Sequence, residues 1–186
     1  MRTVTIVAVA APLVLGLLAA CASSGPRPSA PPGVTAASIT LTSKSFPTNG
    51  TIPVDYTCDG KDSSPQLTWS SPPQGTKAFV VVLEDLDAPS GGFTHWLLWN
   101  IQPDVLALPE ALDAAKLGAK LGMNDLKSVR YAGPCPPHGE MHRYVFHVYA
   151  TNEMLDLSEG ANREAVDTAL SGKVLGDGTL TATFGH

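Results

Sequence analysis

Three segments of the 186-residue chain gather acids, imidazoles and a phenol at the ends of apolar runs. In Val80-Val-Val-Leu-Glu-Asp-Leu-Asp-Ala-Pro89, Asp85 and Asp87 stand two apart, so in extended chain both point to one side. Gly91-Gly-Phe-Thr-His-Trp-Leu-Leu-Trp-Asn100 sets His95 at the start of an apolar strand. In Gly133-Pro-Cys-Pro-Pro-His-Gly-Glu-Met-His-Arg-Tyr-Val-Phe146, His142, Tyr144 and Phe146 share one strand face, while Arg143, Val145 and His147 share the other. Carboxylates and imidazoles so grouped suit metal ligation, acid–base catalysis or the binding of an anion.

The first two chemistries find little support. No His-Glu-x-x-His stands in the chain and the cysteines are too far apart for a Cys-x-x-Cys site, so no metal is expected. A Gly-x-Ser-x-Gly elbow, a P-loop and a dinucleotide fingerprint are all absent, so no cofactor is expected either. A metal-independent hydrolase using His95 and Asp85 as an acid–base pair is the enzymatic alternative. Each residue also has a plainer role. Asp85 and Asp87 can cap a turn, His95 beside Trp96 can be a packed core histidine, and Arg143 reads as a structural ion-pair partner. His138 and His147 have no assigned partner.

The elements that must position these residues are mostly short strands. Ser38–Thr42 alternates, Gln66–Ser70 and Ala78–Leu83 read as strands, and Thr94–Ile101 and His142–Ala150 are longer, aromatic and β-branched. Turn chemistry marks Pro47-Thr-Asn-Gly50 and Asp59-Gly60. A helix is predicted over Ala161–Leu170, with Asn162 as N-cap and Gly172 as its stop, and a short one over Pro109–Leu117. This is a mainly antiparallel β domain with peripheral helices.

The N-terminal residues read as an address. Arg2 precedes a run from Val4 to Ala20 that is apolar apart from Thr5, too short and too interrupted by Pro12 and Gly16 to be a spanning helix. It ends Leu18-Ala-Ala-Cys21, which resembles a bacterial lipobox. The expected organisation is a signal peptide at 1–20, a lipidated Pro/Ser/Ala-rich tether at 21–37, and a folded domain at 38–186. An ordinary secretory peptide, with Cys21 incidental, is the competing reading. Either way the protein is expected to be exported, and with the lipid anchor it belongs to the cell envelope. With 12 basic against 17 acidic residues, nucleic acid is not an expected partner. Cys58 and Cys135 remain once Cys21 is set aside. Outside the cytoplasm they are candidates for a disulfide, or they are two buried thiols that merely lie near one another.

Taken in order, Asp-x-Asp-Ala-Pro, Gly-x-x-His-Trp and Gly-Pro-Cys-Pro-Pro-x-Gly-x-x-His-Arg-Tyr resemble the phosphatidylethanolamine-binding, or Raf-kinase-inhibitor-like, family. The segment Tyr56-Thr-Cys-Asp-Gly60 resembles its bacterial YbhB/YbcL branch. The resemblance implies a two-sheet antiparallel β-sandwich with Greek-key connections, peripheral short helices and a C-terminal helix. It further implies a small surface pocket for phosphate-like or carboxylate anions, lined here by Asp85, Asp87, His95, His142 and Tyr144. The implied partners are a phospholipid head group or a phosphorylated protein, and kinase or protease inhibition follows only by analogy. A structural envelope lipoprotein with a vestigial pocket is the third reading. A carboxylate beside an imidazole orients the ring and raises its pKa, which explains acids in an anion site. The chain departs from the pattern at Leu86, where proline is usual, at Asn124-Asp-Leu-Lys127, which lacks an aromatic–glycine pair, and at Lys173, where histidine is common.

Overall fold

Val80, Val81 and Val82 demand burial on both faces of one strand, and the fold provides a separate core for each face. The computed structural model of the chain describes residues 28–89 and 91–186; the predicted signal peptide, Cys21 and the start of the tether lie outside them. The elements run β1 (Ala37–Ser38), β2 (Leu41–Thr42), β3 (Leu67–Trp69), β4 (Ala78–Asp85), β5 (Phe93–Ile101), β6 (Ala107–Leu108), β7 (Lys120–Leu121), β8 (Met141–Thr151), α1 (Arg163–Leu170) and β9 (Val174–Gly185). A six-stranded sheet of order β1-β9-β8-β4-β5-β7 packs on a three-stranded sheet of order β2-β3-β6. Strand pairing is antiparallel except for the short parallel contact of β1 with β9. The expected mainly-β sandwich is present.

Phe79, Val81 and Leu83 of β4 point into the main core with Leu98 and Phe146, against Leu41, Leu67 and Trp69 of the smaller sheet. Val80 and Val82 point the other way, where Leu97 and Trp99 meet Val166 and Leu170 of α1. Burial on both sides explains why β4 reads as one apolar run rather than an alternation. Fully buried side chains of this size each stabilise the fold by about 1.5–3 kcal/mol. Asn162 caps α1 by accepting a bond from the Ala165 amide, and Arg163 ties the helix to the sheet through Glu84 at 3.1 Å. The short helix predicted after Pro109 is a single 3-10 turn, Ala114–Leu117, capped by Asp113.

Two expectations change. The helix near the C-terminus is followed by β9, a twelve-residue strand along the whole of β8, so the chain closes in strand rather than helix. β9 alternates buried and part-exposed positions, but Gly, Ala and Thr fill so many of them that its period is hard to read from hydropathy. Its Gly178 has a structural reason: a Cβ there would run into the Ile39 carbonyl, where the chain crosses from β1 to β2. That crossing also splits the run predicted over Ser38–Thr42 into two strands in different sheets.

The second change concerns the tether. Among its described residues, Ser29 and Ala36 touch the domain, while Pro32–Thr35 between them are exposed. The Ser29 carbonyl accepts from Val174 N at 3.0 Å, its hydroxyl oxygen accepts from Gly172 N at 3.0 Å, and Ala36 packs on the core beneath α1. Composition describes a segment's own poverty in apolar surface but not the backbone partners a neighbouring edge offers.

Cys58 and Cys135 form a disulfide with Cα atoms 5.5 Å apart, resolving the two readings of that pair. It joins the turn after Tyr56 to the proline-rich loop before β8, and a 3.1 Å bond from the Cys58 amide to the Pro134 carbonyl runs beside it.

Candidate functional site

Pairing of Asp85 with both Phe93 and Tyr144 brings the ends of β4, β5 and β8 to one rim of the large sheet. There a cavity of about 170 Å³ is lined by Asp85, Ala88, Pro89, Phe93, His95, Leu126, Cys135, Pro136, Pro137 and His142. Three of the five residues expected at the pocket therefore line it. Tyr144 lies beneath, fully buried, with its ring edge-on to His95 at 5.5 Å. Its hydroxyl is buried without a hydrogen-bond partner among the described residues. Burial and the nearby Asp85 charge push its pKa up, so it remains a phenol.

Asp87 is placed differently. Its carboxylate grips Arg143 through Nη2 at 2.6 Å and Nε at 2.9 Å, and also accepts from the Arg143 amide at 2.8 Å. Arg143 holds that carboxyl down to about 2, well below the usual range. Alternation within extended chain predicted a shared side for Asp85 and Asp87, but β4 ends at Asp85. The chain then turns, with Leu86 N bonded to the Arg143 carbonyl and Asp87 N to Asp85 Oδ1. Asp87 thus staples the turn. Leu86 is left exposed on it.

The two histidines differ in electrostatic character. His142 Nδ1 donates to Asp85 Oδ2 at 2.7 Å, with both side chains almost wholly buried. Its other nitrogen, Nε2, meets Glu140 Oε2 at 3.0 Å. The bond to Asp85 raises the His142 pKa, burial opposes this, and Glu140 adds to the rise. His95 Nδ1 instead donates to the Ala132 carbonyl at 3.0 Å, and burial lowers its pKa. His95 is therefore a neutral ring at pH 7 whose Nε2 is an acceptor, and the carboxylate support expected for both imidazoles reaches only one. Asp85 bonds to His142 while His95 bonds to the Ala132 carbonyl, and both histidines line the cavity.

Local structure holds the walls. Buried Asn124 donates to the Arg130 carbonyl at 3.1 Å and accepts from Ser128 N at 3.1 Å, closing the loop that sets Leu126 at the cavity. Lys127 there takes a left-handed φ of 61°, the conformation that the missing glycine would adopt freely. On the other side, His186 Nε2 donates to the Pro136 carbonyl at 2.7 Å and Nδ1 to Asp59 at 2.6 Å, while its ring stacks on His138 at 4.2 Å. Glu140 was absent from the sequence-derived set. It stands one residue before β8, so strand alternation does not place it; its bond to His142 Nε2 does.

An antiparallel β-sandwich with an acid-supported histidine in a small hollow at one strand end is the class that fold and site define. The phosphatidylethanolamine-binding protein family model matches residues 42–185, and the chain belongs to that family. A UPF0098 protein of Methanothermobacter thermautotrophicus is 43% identical over 147 residues, covering 77% of this chain and 97% of its own. The UPF0098 protein YbhB of Escherichia coli is 37% identical over 132 residues, 68% of this chain and 84% of its own. Among solved structures, the homologue CT736 of Chlamydia trachomatis superposes with a TM-score of 0.75 at 32% identity, covering 80% of this chain and 98% of that one. YbcL of E. coli gives 0.75 at 31%, covering 81% and 99%.

Proposed function

We propose that the protein is an exported, membrane-tethered binding protein whose rim pocket holds a small phosphate-like or carboxylate anion on His142. The observation that carries this reading is the 2.7 Å bond from His142 Nδ1 to buried Asp85. It fixes the ring, favours the imidazolium and leaves Nε2–H to be offered to a ligand oxygen. The apolar walls from Phe93, Leu126 and the two prolines lower the local dielectric and strengthen that bond. The ligand could be a phospholipid head group or a phosphorylated partner, since the same oxygens are recognised in either.

The pH dependence follows from the sign of the shift. His142 has a folded pKa above its ordinary 6.5, so it stays charged at and below that pH and loses its proton only as pH rises through the higher value. Once the ligand's own second ionisation is accounted for, the part of phosphate affinity that depends on His142 is expected to fall as pH rises through its raised folded pKa. The same linkage makes His142 contribute stability fully below about 6.5 and lose it as pH rises through the folded value. Calorimetry with inorganic phosphate and phosphoethanolamine between pH 5 and 8 checks this. Affinity that still rises with pH after correction for ligand ionisation, or no heat at millimolar ligand, refutes the reading.

Glu140 is an internal rival for the same nitrogen. Its side chain is 57% exposed, so its hold on His142 Nε2 is worth at most about 1 kcal/mol. Glu140→Gln is expected to lower the His142 pKa while tightening phosphate about two- to fivefold at pH 6. An imidazole NMR titration alongside calorimetry reads both quantities. Weaker binding in the variant would mean that Glu140 assists the ligand instead of competing with it.

A further inference from the structure

A second side-chain cluster forms where the turn after Tyr56, the proline loop and the residue following β9 meet. Cys58 Sγ, a carboxylate oxygen of Asp59 and a ring nitrogen of His186 all lie within 4.8 Å of one another. Cys135 adds a second sulfur as the disulfide partner of Cys58. Two sulfurs, an imidazole and a carboxylate are a donor set that suits zinc once the sulfurs are thiolates. Cys58, Asp59 and Cys135 are exposed, so a reductant and a hydrated ion reach them.

The His186 ring is already set for this role. Its Nε2 donates to the Pro136 carbonyl at 2.7 Å, which fixes the ring, while Nδ1 faces Asp59 Oδ2 at 2.6 Å. A backbone carbonyl on the second nitrogen is the support that metal-bound histidines use. Asp59 Oδ1 stands 3.9 Å from Cys58 Sγ. With zinc about 2.3 Å from sulfur and about 2.0 Å from nitrogen or oxygen, tetrahedral ligands stand about 3.3 to 3.8 Å apart. Both separations are within about 1 Å of that, a shift that side-chain rotation supplies. Nor does the arrangement hang on the S–S bond alone. The Cys58 amide on the Pro134 carbonyl and the Gly139 amide on the His186 carbonyl tie the same segments through the backbone.

We infer that the Cys58–Cys135 pair has a second state, in which both sulfurs, reduced, bind one Zn²⁺ together with Asp59 and His186. This is independent of the anion proposed on His142. A dithiol supplies the two electrons: the S–S bond breaks, Cys58 and Cys135 become thiols, and the reductant leaves as its own disulfide. Zn²⁺ then displaces one proton from each thiol and one from His186 Nδ1 to solvent as the metal bonds form. Zinc thereby replaces the disulfide as the crosslink, and the loop that walls the rim cavity through Cys135, Pro136 and Pro137 keeps its tie. With the disulfide closed neither sulfur is a thiolate, and the site does not form.

The test uses the full chain with Cys21→Ser, which removes the third thiol, reduced with dithiothreitol and desalted without oxygen. Co²⁺ is the coloured stand-in for Zn²⁺. The reduced protein should take up one Co²⁺ per chain and develop thiolate-to-cobalt absorption that an equivalent of Zn²⁺ abolishes; the oxidised protein should develop none. His186→Gln should weaken Zn²⁺ in the reduced protein by no less than the roughly tenfold that loss of a supporting group costs. X-ray absorption at the zinc edge of the reduced, zinc-loaded protein needs no further variant and should give two sulfur and two nitrogen or oxygen ligands. Absence of the thiolate band, unchanged zinc affinity in His186→Gln, or any other sulfur count overturns the inference.

Discussion

His142→Ala is expected to weaken phosphate binding about 10- to 100-fold, the worth of one charge-assisted bond, and to destabilise the fold by about 3 kcal/mol or more at pH 7. Both effects have one origin. Removing the imidazole deletes the one cavity-lining donor nitrogen, among the described residues, whose charge a carboxylate supports, and it strands Asp85, whose side chain is 6% exposed, without its partner. Because a destabilised variant also binds poorly, the informative protein is Asp85→Asn/His142→Ala. Asparagine keeps the carbonyl oxygen that accepts the Asp87 amide but carries no buried charge, so stability should largely return while binding stays lost. Urea unfolding and calorimetry on the same samples make the comparison. Phosphate affinity in the double variant equal to that of the parent would show that the ligand does not depend on His142.

Replacing Cys58 and Cys135 together by serine is expected to cost about 4 kcal/mol through the freed chain entropy of a long loop. The two residues are 77 apart in sequence. For a domain of this size that corresponds to a fall in Tm of roughly 8–16 °C. Phosphate binding should weaken far less than in His142→Ala. The proline loop keeps a second set of attachments in the His186 bond to the Pro136 carbonyl and the Gly139 amide bonded back to the His186 carbonyl at 2.7 Å. Thermal melts of the double-serine protein, with calorimetry at 15 °C below its midpoint, test both halves. An unchanged midpoint would mean that the loop is held by those contacts alone.

Much of the architecture was legible because burial leaves a periodic trace. The central strands β4, β5 and β8 and helix α1 with its Asn162 cap were all visible as runs and spacings. Strand β9 was not, because a strand crossed closely by another segment needs small residues, and small residues carry a weak hydropathy signal. Asp87 shows a different limit. Alternation gives the side on which a residue lies only while the strand continues, and β4 stops two residues before it.

From the sequence alone came the residue types at the rim, their order, and the pairing of acids with imidazoles. Tertiary structure decided which acid serves which ring. Asp85 reached His142, Asp87 went to Arg143, and His95 found the Ala132 carbonyl. Such choices depend on where strands end and how their registers align across the sheet, so they rest on contacts between residues dozens of positions apart. A proton affinity set by burial and by a partner 57 residues away in the chain, as for His142, has no local trace to read.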